Sequence, residues 1–261
     1  MMAYKLISLN LWRGGLLLDA ILPFLERERP DILLLQEVLH CDDPAAPARF
    51  HSIETLQKHL DFLPHVHFAP ALIDNEDGHR FSSGNAVASR FAITGSTVIP
   101  YGKPFDEHAE RTEHNPEAFA ATPRNLQHVV LDANGTELNI FNTQGVWDLD
   151  GDNPSERRRA MCRTVAAATA GKQHVMFAGD INLKPSNAAL APIDAQLQSV
   201  FGNELSTTFN VRRKDLVQFP GYATAVVDLM YISHDMHALE HSCPDADISD
   251  HLPLIAILEA V

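Results

Sequence analysis

Four side chains that carry oxygen ligands come just after apolar segments of β-strand length. They are Asn10, Glu37, Asp180 and Asn182. The ends of neighbouring strands can deliver side chains from distant parts of a chain to a single cleft. Carboxylate and amide oxygens are the ligands that Mg²⁺ and Mn²⁺ prefer in proteins. The pattern therefore predicts a site for a hard divalent cation at these strand ends.

A second group of candidate residues lies in the last part of the chain. Asp228 falls inside the apolar segment 226–232, and Asp250 and His251 stand immediately before the apolar segment 252–258. A histidine beside a carboxylate is suited to act as a base or to stabilise an anion. The sequence contains no Gly-rich phosphate loop, Gly-x-Ser-x-Gly elbow or His-Glu-x-x-His helix, so no other catalytic motif competes with these residues.

Taken singly, each of these residues has a simpler explanation. A Glu after a buried strand is more often a solvated strand-end residue, and an Asn near a turn more often bonds its own backbone. An isolated Asp-His pair is usually part of a capped loop. The chemical hypothesis therefore depends on the order and combination of the residues, and on the elements that bring them together.

The apolar periodicity predicts helices that alternate with strands. Strands are predicted over residues 5–10, 31–36, 86–90, 93–98, 126–131, 137–142, 174–177, 226–232 and 254–258, and helices over 16–28, 49–60, 154–170 and near 186–190. The turn sequence Asp-Ala-Asn-Gly at 132–135 predicts a hairpin. Because hairpins occur together with alternating helices and strands, we expect an α/β fold of mixed sheets with helices outside. The polar stretch 101–123 predicts a functional or mobile loop.

Composition limits the class of protein. No repeat or linker divides the chain, so we expect one domain over residues 1–261. No apolar run approaches the ~20 residues that span a bilayer. The net charge of −14 argues against an extended basic face for duplex DNA, so nucleic acid is a possible but not a favoured partner. The scattered thiols Cys41, Cys162 and Cys243 indicate a reducing compartment and predict a cytoplasmic protein.

The motifs, taken in order, resemble those of the endonuclease/exonuclease/phosphatase family over nearly the whole chain. The residues that carry the resemblance are Ser8-Leu9-Asn10, Leu34-Leu35-Gln36-Glu37, Ser83-Gly84-Asn85 with Ser89-Arg90, Arg124, Gly179-Asp180-Ile181-Asn182, Val227-Asp228 with the strand to Ile232, and Ser249-Asp250-His251. The resemblance implies a four-layer α/β/β/α sandwich of two mixed β-sheets flanked by helices. It also implies a divalent-metal-dependent hydrolase of phosphate esters, either a phosphodiesterase or a phosphatase.

The resemblance assigns a cation site that uses Mg²⁺ or Mn²⁺. Glu37 would bind the metal, with Asn10 and Asp250 as further ligands. A bound cation of this kind polarises a non-bridging phosphate oxygen and offsets the negative charge that develops there.

The resemblance assigns the chemical steps to the second half of the chain. Asp180 would orient or deprotonate the attacking water, and Asn182 would donate a hydrogen bond to the phosphate. His251, held by Asp228, would contact the phosphoryl group and stabilise the transition state. Arg124, which opens a strand, would contact the substrate.

One position departs from the family pattern. Many members carry Asn-Thr-His where this chain has Asn-Thr-Gln, ending at Gln144. Gln donates a neutral hydrogen bond but cannot act as a general acid. Either the substrates have good leaving groups, or activity is reduced. His108 and His114 could substitute for the missing histidine, although loop histidines without a role are the simpler interpretation.

Only weak features of the sequence bear on the identity of the substrate. Trp147 could stack on a base or another ring, and it could equally serve packing. The basic run Arg212-Arg213-Lys214 could meet a second phosphate, but a solvated charged loop is the favoured interpretation. Two rival functions stay open: a nuclease acting on DNA or RNA, and a non-catalytic binding protein that retains the fold.

Overall fold

Twelve strands form two mixed sheets in the part of the chain that the computed structural model describes, which is residues 2–105, 120–148 and 153–261. In chain order the strands are β1 (Ala3–Asn10), β2 (Ile32–His40), β3 (His65–Glu76), β4 (His79–Ser89), β5 (Ala92–Pro100), β6 (Asn125–Ala133), β7 (Thr136–Gln144), β8 (Val175–Asp180), β9 (Gln198–Ser199), β10 (Asp228–Ile232), β11 (Met236–Ser242) and β12 (Leu254–Ala260). The α-helices named below are α1 (Leu18–Glu28), α2 (Ser52–His59), α3 (Glu156–Thr169) and α4 (Ala191–Asp194). Short 3₁₀ helices lie at Ala48–Phe50, Ala188–Leu190, Val211–Arg213 and Pro220–Thr224.

Each sheet has a single parallel pair at its centre. The first sheet has the order β11-β12-β1-β2-β4-β3, and the second has the order β5-β6-β7-β8-β10-β9. Strands β1 and β2 are parallel, as are β7 and β8, whereas the other neighbours are antiparallel. Because parallel strands end on the same side, each central pair delivers its carboxyl-terminal residues to one edge of its sheet.

Strand β2 is covered on both faces. Leu34 lies in the core between the sheets together with Ile140 of β7. Leu33 and Leu35 lie in a separate cluster on the outer face, together with Ile21 of α1. Successive side chains of a strand point to opposite faces, which explains why this segment reads as a continuous apolar run.

The second sheet is covered in the same way on its outer face. Phe141 of β7 and Phe177 of β8 pack against Met161 and Val165 of α3 and against Ile193 of α4. Helices, two sheets and helices therefore form four layers. The predicted α/β/β/α sandwich of two mixed sheets is confirmed.

At one end of the sandwich the space between the sheets is lined by amides instead of apolar side chains. The buried Asn142 of β7 donates to the backbone oxygens of Leu35 at 3.0 Å and Ala86 at 2.9 Å, both in the other sheet. The side chain of Gln36 donates to Asn142 Oδ1 at 2.7 Å. Buried amides need such partners. These contacts fix the relative positions of the two central pairs near their carboxyl ends.

Three strands were missing from the sequence-based prediction, and each lies at an edge of a sheet: β3 and β11 in the first sheet, and the two-residue β9 in the second. Strand β3 contains Pro70, where its register with β4 shifts before Leu72. A proline within a strand is tolerated at an edge or a bulge, and it weakens the strand pattern. Strand β11 is largely exposed, so it has no alternating apolar face to signal its presence.

Several predicted boundaries were wrong. The predicted helix 16–28 begins at Leu18, because Leu17, with φ −116° and ψ 39°, is its non-helical N-cap and ends a turn that starts at Trp12. The predicted helix 49–60 is a 3₁₀ turn followed by α2. The predicted strand 31–36 continues to His40, which places Glu37 inside a strand.

Further predictions concerned the loop 101–123, the cysteines and a possible membrane span. The predicted loop 101–123 is described only at 101–105 and 120–123, and His108 and His114 lie outside the described residues. The three cysteines are free thiols, two of them buried. Among the helices of the described ranges, none is long and apolar enough to cross a membrane. The cytoplasmic localisation stays a prediction.

Candidate active site

The candidate site lies where the two central parallel pairs end. Asn10 is the last residue of β1 and pairs in register with Gln36 of β2. Gln144 and Asp180 are the last residues of β7 and β8, and they pair with each other in register. The two sheets face each other, so the ends of β1, β7 and β8 meet residues 36 and 37 within β2 across the sandwich. The predicted convergence of strand-end side chains therefore occurs.

Glu37 reaches this edge through a β-bulge. Its φ is 55°, and the register between β2 and β4 shifts between Leu35 and Val38. A bulge re-aims a side chain that the regular alternation would place elsewhere. One carboxylate oxygen of Glu37 accepts from the backbone nitrogen of Arg13 at 2.7 Å, and the other accepts from Gln144 Nε2 at 2.8 Å.

Asn10 connects the two sheets at the centre of the site. Its Nδ2 lies 3.3 Å from Glu37 Oε1 and 3.1 Å from Asp180 Oδ2. Its Oδ1 accepts from the backbone nitrogen of Trp12 at 2.9 Å. The backbone donor fixes the orientation of the amide, so the nitrogen of Asn10 faces the two carboxylates.

Asp180 depends on the glycine before it. A Cβ at Gly179, whose φ is +152°, would lie 2.0 Å from the backbone oxygen of Thr143 in the neighbouring strand. Only glycine permits this approach of β8 to β7. The end of the strand then presents Asp180 to the site. Its Oδ1 accepts from the backbone nitrogen of Asn182 at 3.2 Å.

The side chain of Asn182 is turned toward the neighbouring loop. Its backbone is in the left-handed region with φ 57°, and its Nδ2 donates to the backbone oxygen of Gly145 at 3.2 Å. An amide nitrogen carries two hydrogens, so this contact leaves Asn182 a second hydrogen to donate.

A buried histidine and carboxylate form the other half of the site. His251 Nδ1 lies 2.9 Å from Asp228 Oδ2, and the two residues are 6% and 3% exposed. The backbone nitrogen of Asp228 donates to Thr208 Oγ1 at 3.1 Å. Ser249 Oγ donates to the backbone oxygen of Asn10 at 2.7 Å, which ties the Ser-Asp-His loop to β1. No sequence pattern pointed to Thr208, whose contact with Asp228 arises only from the fold.

The charges of the site are strongly coupled. Burial by itself lowers the pKa of His251, but the carboxylates of Asp228, Asp250 and Asp180 raise it to about 10. Burial raises the pKa of Asp180, and with the opposing effect of His251 and Arg124 and the further raising effect of Asp228 and Glu37 the pKa is about 6. The imidazole is therefore a cation at neutral pH, suited to stabilise an anion and unsuited to accept a proton.

Asp250, predicted as a metal ligand, faces a lysine. Lys214 Nζ lies 2.5 Å from Asp250 Oδ2, and both side chains are largely buried. The adjacent Arg212 and Arg213 are paired in the same way with Asp245 and Asp247, at 2.6 Å each. These three ion pairs therefore connect the segment that follows Phe209 to the loop that carries His251.

The three remaining predicted residues are Arg124, which directly precedes β6, Gln144, which ends β7, and Trp147, which follows β7. Arg124 and Gln144 are buried, and a guanidinium nitrogen of Arg124 donates to Gln144 Oε1. The positive charge of Arg124 acts on Asp180, whose pKa it lowers. Trp147 follows Gln144 by three residues and is half-buried. Arg124 therefore belongs to the site, and Trp147 lies close to it in sequence.

The site has the chemistry to hold a divalent cation. The raised pKa of Asp180 reflects its burial and the neighbouring negative charges of Asp228 and Glu37, and a bound cation would favour the ionised form of these carboxylates. Asp180, Asp228 and His251 have ligand atoms within 4.8 Å of one another. A protonated imidazole is a poor metal ligand, so the carboxylate oxygens of Glu37 and Asp180 suit Mg²⁺ or Mn²⁺ better.

Buried carboxylates, amides and a charged histidine therefore lie together at one edge of the four-layer sandwich, where they can bind a cation and stabilise an anion. A sequence model of the endonuclease/exonuclease/phosphatase family matches residues 7–251. The chain belongs to this family, whose members are hydrolases acting on phosphate esters.

Solved structures support the same fold. An endonuclease/exonuclease/phosphatase from Beutenbergia cavernae has a TM-score of 0.76 at 18% identity, covering 100% of this chain and 72% of that one. A mannosyl-6-phosphatase from Bacteroides thetaiotaomicron has a TM-score of 0.69 at 15% identity, covering 98% and 99% of the two chains. D. rerio TDP2 with a single-strand DNA product has a TM-score of 0.67 at 17% identity, covering both chains fully at 100%. Among curated proteins, none matches the chain in sequence.

Proposed function

We propose that this protein is a divalent-metal-dependent hydrolase of phosphate esters, acting as a phosphodiesterase or a phosphatase. The observation that carries the proposal is the contact of Asn10 Nδ2 with both Glu37 at 3.3 Å and Asp180 at 3.1 Å. The amide of Asn10 therefore lies between Glu37, which is suited to bind a cation, and Asp180, which is suited to hold the attacking water. The charged His251 is hydrogen-bonded to Asp228 at 2.9 Å, and one of its ring nitrogens lies within 4.8 Å of a carboxylate oxygen of Asp180.

The proposed roles follow from these positions. Asp180 orients or deprotonates the attacking water, since its pKa near 6 leaves it mostly ionised at neutral pH. His251 donates from Nε2 to the phosphoryl oxygens, because Asp228 occupies Nδ1. Asn182 donates its second amide hydrogen to the phosphate. Arg124 adds positive charge near Asp180.

The cation is proposed to be held by Glu37, with Asn10 supporting Glu37 through its amide nitrogen. Asp250 is proposed as a further ligand, and its contact with Lys214 means that a cation would compete with the ammonium group for it. When bound, Mg²⁺ or Mn²⁺ would act as a Lewis acid on the phosphoryl oxygen. Trp147 is proposed to contact the organic part of the substrate.

The test is hydrolysis of bis-p-nitrophenyl phosphate and p-nitrophenyl phosphate with Mg²⁺ or Mn²⁺. We expect turnover that EDTA abolishes and that added metal restores. Glu37→Ala should lose this turnover, while Glu240→Gln, an exposed carboxylate on β11, should retain it. A Glu37→Ala protein as active as the wild type would refute the metal role.

A nuclease is the second candidate. The fold similarity to D. rerio TDP2 with a single-strand DNA product supports it, whereas the net charge of −14 opposes it. Single- and double-stranded DNA, RNA, nucleotides and sugar phosphates should be compared at equal metal concentration. Inactivity on every substrate class with metal present would favour a non-catalytic binding protein.

A further inference from the structure

Gln144 links the two sheets at the site. It ends β7 in the second sheet, is 6% exposed, and reaches Glu37 on β2 of the first sheet. Its side chain is the one that departs from the histidine of the family pattern.

Both ends of the Gln144 side chain are engaged. Oε1 accepts a hydrogen bond from Arg124, and Nε2 donates to Glu37 Oε1 at 2.8 Å. A guanidinium only donates and a carboxylate only accepts, so the two partners fix the orientation of the amide between them. A neutral group that accepts at one end and donates at the other connects a cation to an anion without adding charge.

The hydrogen bond from Gln144 is one of those that orient the carboxylate of Glu37. Its other carboxylate oxygen accepts from the backbone nitrogen of Arg13 at 2.7 Å. Glu37 stands on a bulge at φ 55°, where the regular strand geometry does not determine its direction. Hydrogen bonds from the turn after β1, from Asn10 at 3.3 Å and from Gln144 of the second sheet therefore define where its carboxylate points.

We propose that Gln144 is a positioning residue, which joins the guanidinium of Arg124 to the carboxylate of Glu37 across the two sheets and thereby sets the affinity of the site for its divalent cation. This inference rests on the proposed function. It explains why a residue without a titratable proton stands at this position: its task is to orient a ligand. Groups that orient metal ligands through hydrogen bonds typically change metal affinity by 10–100-fold when they are removed.

The experiment measures binding of Mn²⁺ alone to the full-length protein, by electron paramagnetic resonance of the free ion. Gln144→Met keeps the length of the side chain and removes both hydrogen bonds. Gln144→Asn keeps the amide but is shorter by one methylene, so it cannot reach both partners. We expect the Kd for Mn²⁺ to rise about 10–100-fold in each variant.

The matched control is Gln127→Met. Gln127 is also buried between the sheets, where it donates to the backbone oxygen of His67 at 2.8 Å and accepts from Asn142 at 3.1 Å, but it does not contact Glu37. We expect this variant to lower the Tm and to retain the Mn²⁺ affinity of the wild type. That contrast separates an effect on the cation site from a general loss of packing.

The outcomes are distinguishable. Folded Gln144 variants that bind Mn²⁺ within twofold of the wild type would overturn the inference while leaving the proposed function intact. Equal losses of affinity in the Gln144 and Gln127 variants would overturn it as well. A wild-type protein that neither binds Mn²⁺ nor hydrolyses phosphate esters would overturn the proposed function, and this inference with it.

Discussion

The replacement of Asp228 by asparagine should return His251 to ordinary histidine behaviour. The pair lies at 2.9 Å and is buried. Asparagine keeps the size of the side chain and an oxygen that can accept from Nδ1, so the tautomer of His251 is preserved. What the substitution removes is one negative charge, in a region where solvent does not screen it.

The magnitude follows from the charges around the imidazole. Burial lowers the pKa of His251, and the neighbouring carboxylates raise it to about 10 from an ordinary value of 6.5. Asp228 makes the largest of the raising contributions. We expect the pKa of His251 to fall by at least about 2 units in Asp228→Asn, which corresponds to about 3 kcal/mol at about 1.4 kcal/mol per unit.

The same shift predicts how stability changes with pH. A histidine whose pKa is higher in the folded than in the unfolded protein contributes stability that is fully present below pH 6.5 and is lost as the pH rises through about 10. The difference in unfolding free energy between wild type and Asp228→Asn should therefore be largest below pH 6.5 and shrink toward pH 10.

The assay is nitrogen-15 NMR of the histidine rings in EDTA, between pH 5 and roughly 11. The chain has 14 histidines, and the His251→Gln protein identifies the signal of His251 by its disappearance. Chemical denaturation of the same proteins gives the stability difference.

An exposed histidine–carboxylate pair provides the matched control. His241 and Glu204 are also 2.9 Å apart, but this pair is exposed, so Glu204→Gln should change the unfolding free energy by less than about 1 kcal/mol. If His251 of the wild type titrates near 6.5, or if Asp228→Asn leaves its titration unchanged, the electrostatic reasoning is wrong.

Three further predictions concern the metal, one glycine and the core. Glu37→Gln should weaken Mn²⁺ binding by more than about tenfold in isothermal titration calorimetry, and an unchanged Kd would contradict its assignment. Gly179→Ala should lower the unfolding free energy by more than about 1 kcal/mol in urea, because its Cβ would lie 2.0 Å from a backbone oxygen of the adjacent strand. Gly95→Ala, with its nearest contact at 3.8 Å, should cost less; equal losses would refute the steric argument. Leu34→Ala should cost about 2–5 kcal/mol by denaturation, because this fully buried side chain lies between the sheets. Leu239→Ala, 53% exposed, should stay within about 0.5 kcal/mol, and similar losses for the two leucines would contradict the layer assignment.

Local sequence patterns were enough to predict most of the strands. The continuous apolar run of β2 indicated a strand covered on both faces, and Leu33, Leu34 and Leu35 do divide between two cores. Strand β11 escaped prediction because it is largely exposed and has no alternating apolar face, and β3 because Pro70 interrupts its pattern at a bulge.

The sequence by itself determined which groups could do chemistry and in what order they occur. The amides, acids and histidine that lie beside or within the apolar segments are chemical facts of the chain. These features were enough to indicate the family and a phosphate-ester chemistry. They did not determine which atom of each side chain faces which partner.

The tertiary structure decided those orientations. Asn10 turns its nitrogen toward Asp180, 170 residues away, and Gln144 donates to Glu37, 107 residues away. Lys214 engages Asp250, 36 residues away. Each contact depends on sheet register, on a bulge or on the packing of one sheet against the other, and these arise only when the whole chain is folded. For that reason the kinds of residue at the site were readable from the sequence, whereas the role of Gln144 required the fold.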